Sequence, residues 1–131
     1  EDNYVSKWAK RDEFLKGKDV AIVSFQRLSK AKGETTALWL DSEGFTYRLT
    51  FLELEKPTKA RMLEIHSATF KRDLASSVRA EFNLDTLPVG QPVKITTWVE
   101  KNHRGKDVYR WRVQKLPGEL IPLPITLDAS Q

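Results

Sequence analysis

Positively charged side chains gather in two stretches of this chain, and tryptophans stand close to each in the sequence. Residues 26–32 carry Arg27, Lys30 and Lys32 with no acid. Residues 94–115 carry Lys94, Lys101, Arg104, Lys106, Arg110, Arg112 and Lys115 against Glu100 and Asp107, a net charge of +5. Between them, residues 34–55 hold five acids against Arg48 alone, so the positive charge is concentrated rather than spread. Flexible cations can follow the backbone of a polyanion without requiring one sequence, and counterion release makes such binding salt-dependent. Trp39 and Trp98 each fall on the polar side of an alternating run, Trp39 near Arg48 and Trp98 near Arg110 and Arg112. An aromatic face left in water stacks on any nucleobase, and Tyr47 joins these two if its strand pairs in a shifted register. Trp111, Phe45, Phe51 and Tyr109 read instead as core.

Other chemistries are thinly provided. Without cysteine there is no disulfide, thiolate zinc site or cysteine nucleophile, and His66 and His103 alone exclude a three-histidine metal site within one chain. Neither histidine has a nucleophile or carboxylate at catalytic spacing, and Glu53 and Glu55, on one strand face, read as solvated surface. No phosphate-cradling glycine loop, metal-ligand motif or nucleophile elbow occurs. No enzyme activity, cofactor or metal is therefore expected, and the net charge of +4 with pI near 9.4 suits an anionic partner.

The frame for these residues is one domain's worth of chain: 131 residues, 40% hydrophobic and 31% charged, which is an ordinary globular balance. The longest apolar run, Val20–Val23, is too short to span a bilayer. The chain opens with Glu1 and lacks a signal-peptide core, so a processed or trimmed product in a soluble intracellular compartment is expected. Residues 1–18 form an N-terminal extension in which Val5, Trp8 and Leu15 make the packing edge of a short helix. Residues 19–27 read as a strand buried on both faces over part of its length. Residues 35–40 and 45–52 read as a hairpin around Asp41–Gly44, with Tyr47, Leu49 and Phe51 inward and Trp39, Arg48 and Thr50 outward. Residues 60–67 fit either a first helical turn or a short strand. Phe70, Leu74, Val78 and Phe82 recur every four residues, an amphipathic helix over about 68–83. Residues 92–101 and 106–116 form a second hairpin around Asn102–Gly105, and residues 117–131 are a proline-rich tail.

Three strands, a helix and two strands is the order of a five-stranded Greek-key OB barrel, all-β with one helix between the third and fourth strands, over residues 19–116. Within it, Gly90–Gln114 resembles the closing hairpin of single-stranded-DNA-binding proteins of the bacterial and phage type. The likeness lies in a Gly-Gln-Pro-Val-Lys-Ile lead-in, Thr-Thr-Trp-Val-Glu-Lys, a glycine-containing turn, and Asp-Val-Tyr-Arg-Trp-Arg-Val. It covers about a fifth of the chain closely. The chain departs from that family in its tail, proline-rich rather than acidic, and in a longer helical region, so the family's oligomerisation does not carry over.

OB folds take ligands across strands two and three, between the loop joining the first two strands and the loop joining the last two. Here both loops are basic. The expected function is sequence-independent binding of single-stranded nucleic acid. DNA is favoured by the resemblance, and RNA meets the same two requirements. Cations at 27, 30, 32, 48, 94, 101, 104, 106, 110 and 112 would hold phosphates, and Trp39, Trp98 and Tyr47 would stack bases. Two other functions fit the same barrel: a protein-interaction subunit docking a partner or second copy through its aromatics and tail, and an oligosaccharide-binding domain in which the basic loops would not matter.

Overall fold

A computed structural model describes residues 7–28 and 46–122, the side chains of Arg27 and Leu28 excepted. Its strands are β1 (Lys18–Leu28), β2 (Thr46–Glu53), β3 (Lys56–Ile65), β4 (Pro92–Lys101) and β5 (Asp107–Lys115), with one helix, α1 (Ala68–Phe82), between β3 and β4. The strand expected over 35–40 lies outside the described residues, as do Lys30, Lys32 and Trp39.

The sheet is antiparallel with the order β3–β2–β1–β4–β5. The class expected from the sequence, all-β with one helix, is present. The sheet is not closed into a barrel: among the described residues β3 and β5, the two edge strands, are not paired with each other. β1 is shared between halves, pairing along nearly its whole length with β2 and by its first four residues with β4. A bulge between Ile22 and Ser24 bends it. Val20, Ala21 and Ile22 are all fully buried, so apolar side chains leave both faces of β1 at that end.

The third strand of the described sheet is where the sequence left helix and strand open. β3 is hard to read because Lys56–Lys59 are exposed and Arg61 takes a core-facing place in the alternation Arg61, Leu63, Ile65. Pro57 sits at the exposed start of this edge strand, where its missing N–H costs no ladder bond.

Both edges are occupied by other groups, which explains why they do not meet. Along β5, Asp73 of α1 accepts from the Trp111 N–H at 3.0 Å and Glu81 from the Lys115 N–H at 2.8 Å. Eight helical residues rise about 12 Å, and four strand residues about 13 Å, so the two carboxylates match two edge donors. Along β3, the Ala9 N–H donates to the Met62 carbonyl at 2.7 Å and the Met62 N–H to the Lys7 carbonyl at 2.6 Å. The chain then turns through a 3₁₀ turn, Arg11–Phe14, and drops Phe14 into the core against Phe51 and Trp111, at ring distances of 5.6 and 6.0 Å. Arg11 lies 3.6 Å above the Tyr109 ring of β5. Residues 7–14 thus touch both edges of the open seam. Phe14 is buried, whereas the expected packing residues Trp8 and Leu15 are exposed, because the segment forms an extended pairing and a single 3₁₀ turn instead of an amphipathic helix.

The core lies on one face of the sheet: Val20, Ile22, Tyr47, Leu49, Phe51, Leu63, Val93, Ile95, Trp111 and Val113 from strands, with Phe70, Leu74 and Val78 of α1. Ser67 caps α1, accepting from the Thr69 N–H, and Asn83 ends it in the left-handed region at φ 59°. Among the described residues no helix is long and apolar enough to cross a membrane.

Candidate nucleic-acid interface

The β4–β5 hairpin carries most of the predicted site residues. Cross-strand pairs Thr96–Arg112, Trp98–Arg110 and Glu100–Val108 put Trp98, Arg110 and Arg112 on the face opposite the core. Trp98 is half-buried. Its indole Nε1 donates to Glu100 Oε2 at 2.7 Å, and the Arg112 guanidinium lies 5.5 Å from its ring centre. The hydrogen bond fixes the plane of the indole and the guanidinium adds a cation–π contact, leaving an oriented, partly wetted aromatic surface.

The hairpin tip is ordered by one side chain. Asn102 Oδ1 accepts from the main-chain N–H groups of Arg104 and Lys106, at 2.8 and 3.0 Å. The reversal needs the left-handed conformation at Gly105, φ 80°, where no L side chain sits without strain. Lys101, His103, Arg104 and Lys106 are all exposed there. Lys101 pairs with Asp107 at 2.8 Å, while among the described residues no carboxylate pairs with Arg104, Lys106 or Arg112.

Four predicted residues sit elsewhere or are otherwise engaged. Tyr47 is 4% exposed and stacked on Phe25, with ring centres 5.6 Å apart and planes 6° apart, because it shares the core face with Leu49 and Phe51; its ring cannot meet a ligand. Arg110 is held by Asp73, through Nε at 2.8 Å and Nη2 at 3.0 Å, and by Glu100 at 3.1 Å. Asp73 holds its pKa above the ordinary arginine value, and with two carboxylates on it the guanidinium has little charge left for a phosphate. Lys94 faces a cleft shared with Glu13, Asp19, Glu53 and Glu55, away from the hairpin tip. Arg48 lies on β2, paired with Glu64 through Nε at 2.8 Å and Nη2 at 2.6 Å. Arg27 is opposite Tyr47 in the β1–β2 register.

One aromatic that the sequence reading assigned to packing stands on the outer face of the sheet instead. Trp8 is 42% exposed, bridges to Met62 on the outer face, and has the Arg48 guanidinium 5.5 Å from its ring. No sequence signal marks it, because its position comes from a parallel pairing with a strand more than fifty residues away.

Beneath Trp8, Arg61 is the buried cation of the molecule's N-terminal seam. It donates to Glu13 at 2.7 and 3.1 Å, to Glu53 at 2.6 Å and to the Trp8 carbonyl at 3.2 Å, and Lys18 adds a bond to Glu53 at 2.9 Å. Burial pushes the Glu13 carboxyl up, but the Arg61 hydrogen bond, the Lys10 N–H and the charges of Arg61 and Lys18 outweigh it and hold the pKa at about 2. Glu53 is likewise lowered, burial being outweighed by Lys18 and Arg61. This cluster is structural, since its charges are spent on one another.

A groove of about 400 Å³ between α1 and residues 84–89, floored by Phe25, Leu74, Val78 and Leu87, is mostly apolar and holds none of the predicted site residues. No family model, curated protein or solved structure matches the chain.

Proposed function

We propose that this chain binds single-stranded nucleic acid, DNA foremost, with little regard to sequence, and that binding rather than catalysis is its activity. The observation that carries the reading is the oriented indole of Trp98 beneath Arg112, on a hairpin whose tip exposes Arg104 and Lys106 with no carboxylate partner among the described residues. The indole supplies sequence-tolerant stacking and the tip supplies phosphate neutralisation, the two requirements of strand binding.

The fold supports the same reading. The spatial order β4–β1–β2–β3, with β4 reached through α1, is compatible with a Greek key. The element order, five strands with a helix between the third and fourth, is the order proposed for an OB fold, with the sheet open at the β3–β5 seam. On that topology the β4–β5 tip forms one rim of the ligand groove. Arg27, Lys30, Lys32 and Trp39, near or within the β1–β2 connection, are proposed for the other. Lys101 and Arg112 complete the hairpin's contribution, whereas Tyr47, Arg110 and Lys94 drop out for the reasons of burial, pairing and position given above.

Fluorescein-labelled oligo-dT titrated with the protein, with oligo-rU and duplex DNA in parallel, tests this. If three phosphates are neutralised at about 0.7 per contact, affinity falls roughly 20-fold between about 50 and 200 mM salt. Binding of dT ahead of duplex with that dependence is expected. Absence of binding at low salt, or affinity indifferent to salt, would overturn the proposal.

A further inference from the structure

We infer that Trp8 is a second base-stacking platform, built onto the outer face of β2 and β3 by the pairing of the N-terminal segment with β3. The inference rests on the strand-binding reading above and names a contact that the sequence did not suggest.

The backbone around Trp8 is fixed on both sides, by the Ala9 N–H on the Met62 carbonyl and the Met62 N–H on the Lys7 carbonyl, and Arg61 grips the Trp8 carbonyl itself. In this extended stretch alternate residues face opposite ways. Ala9 packs against the core, and Trp8 shares the outer face with Met62, Thr50 and Ser24, one rung from Glu64, Arg48 and Gln26. A large aromatic that is 42% exposed on an anchored backbone loses little further freedom when a ligand covers it. Among the described residues two cations flank the ring, Arg48 at 5.5 Å and Lys7 at 5.8 Å from its centre.

Charge decides which force dominates there. Arg48 is neutralised by Glu64, whose carboxylate would repel a nearby phosphate. Lys7 is therefore the one flanking cation with charge to offer among those two. The site should accordingly draw its affinity from the indole face and add little to the salt dependence, unlike the hairpin tip, where Arg104 and Lys106 act through charge. Trp8 and Trp98 both leave the sheet on the face away from the core, so a strand crossing that face meets an indole on each half of the sheet.

The test compares W8A, W8F and wild type in fluorescence anisotropy with labelled oligo-dT and oligo-rU across a salt series, after circular dichroism and urea midpoints establish that each variant is folded. Loss of one stacked base predicts a fall in affinity of about 5- to 150-fold for W8A. The slope of log affinity on log salt should stay unchanged, and W8F should remain within about threefold of wild type, since a phenyl ring still stacks. Wild-type affinity in W8A, when wild type binds dT, would overturn this inference and leave the hairpin reading standing. Equal losses in W8A and W8F would also overturn it, as would a flattened salt slope in W8A. Failure of wild type to bind either oligonucleotide would remove both readings together.

Discussion

Arg61→Met removes the cation that ties the N-terminal segment to the sheet while keeping an unbranched side chain in its place. The Arg61 side chain is 8% exposed and, among the described residues, makes four hydrogen bonds, three of them to carboxylates. Among the described residues the substitution leaves Lys18 as the remaining cation of Glu13 and Glu53, at 3.4 and 2.9 Å, with the Lys10 N–H still on Glu13. Removing one partner of a buried pair costs about 3–5 kcal/mol. The two carboxylates are 29% and 22% exposed, so water can recover part of their solvation and the lower end, about 3 kcal/mol, applies. For a domain of this size that is a fall in Tm of roughly 10–20 °C, read by urea or thermal unfolding. The pH dependence separates an ionic loss from a packing loss. Glu13 has its folded pKa lowered from 4.5 to about 2, so its contribution is fully present above about 4.5 and is lost as pH falls toward 2. Glu53, also lowered, acts in the same direction. The gap between wild type and R61M should be widest above pH 5 and narrow steadily below 4.5. A loss under about 1 kcal/mol, or a gap that is the same at pH 6 and pH 3, would refute the ionic account of the seam.

Asp73→Ala should cost about 2–4 kcal/mol, because it strands the Trp111 N–H and removes two charge-assisted bonds to Arg110, whereas Asp73→Asn retains an acceptor for the N–H and should cost less; equal urea midpoints for the two would disprove the edge-capping role. Replacing Arg104 and Lys106 together by Ala should leave the unfolding stability within about 0.5 kcal/mol of wild type, since both are exposed and pair with no carboxylate among the described residues, and should flatten the salt slope of oligo-dT binding by about 1.4. An unchanged slope would mean that the hairpin tip does not meet phosphate.

How much of this molecule was legible in its sequence depended on whether a local period carried the information. The β4–β5 hairpin was readable nearly to the residue, because Val93, Ile95 and Thr97 face in while Lys94, Thr96 and Trp98 face out, and Asn102–Gly105 supplies the turn chemistry. Val99, the next residue on the inward side of that alternation, is exposed, at the end of the strand pair near the hairpin tip. The helix was equally plain from Phe70, Leu74 and Val78. β3 was not, because a buried arginine broke its apolar alternation, and that arginine is intelligible only once Glu13 and Glu53, 48 and 8 residues away, are seen around it.

The candidate site divides along the same line. Trp98 and its arginines lie on one hairpin, so their neighbourhood is fixed by cross-strand spacing that a sequence displays. Arg110 looked equally available until α1 brought Asp73 to it across 37 residues, and Trp8 looked like packing until Met62 paired with it across the seam. Nothing in local composition distinguishes an arginine aimed at a phosphate from one already committed to a carboxylate. The fold decides that by which element covers each sheet edge. At β5 the covering helix presents two carboxylates to the edge, Asp73 and Glu81, and Asp73 consumes a cation, while at β3 the covering element is an extended segment that delivers an indole. The same need, to occupy an exposed strand edge, thus removes one predicted candidate at one edge of the sheet and supplies the proposed stacking candidate at the other.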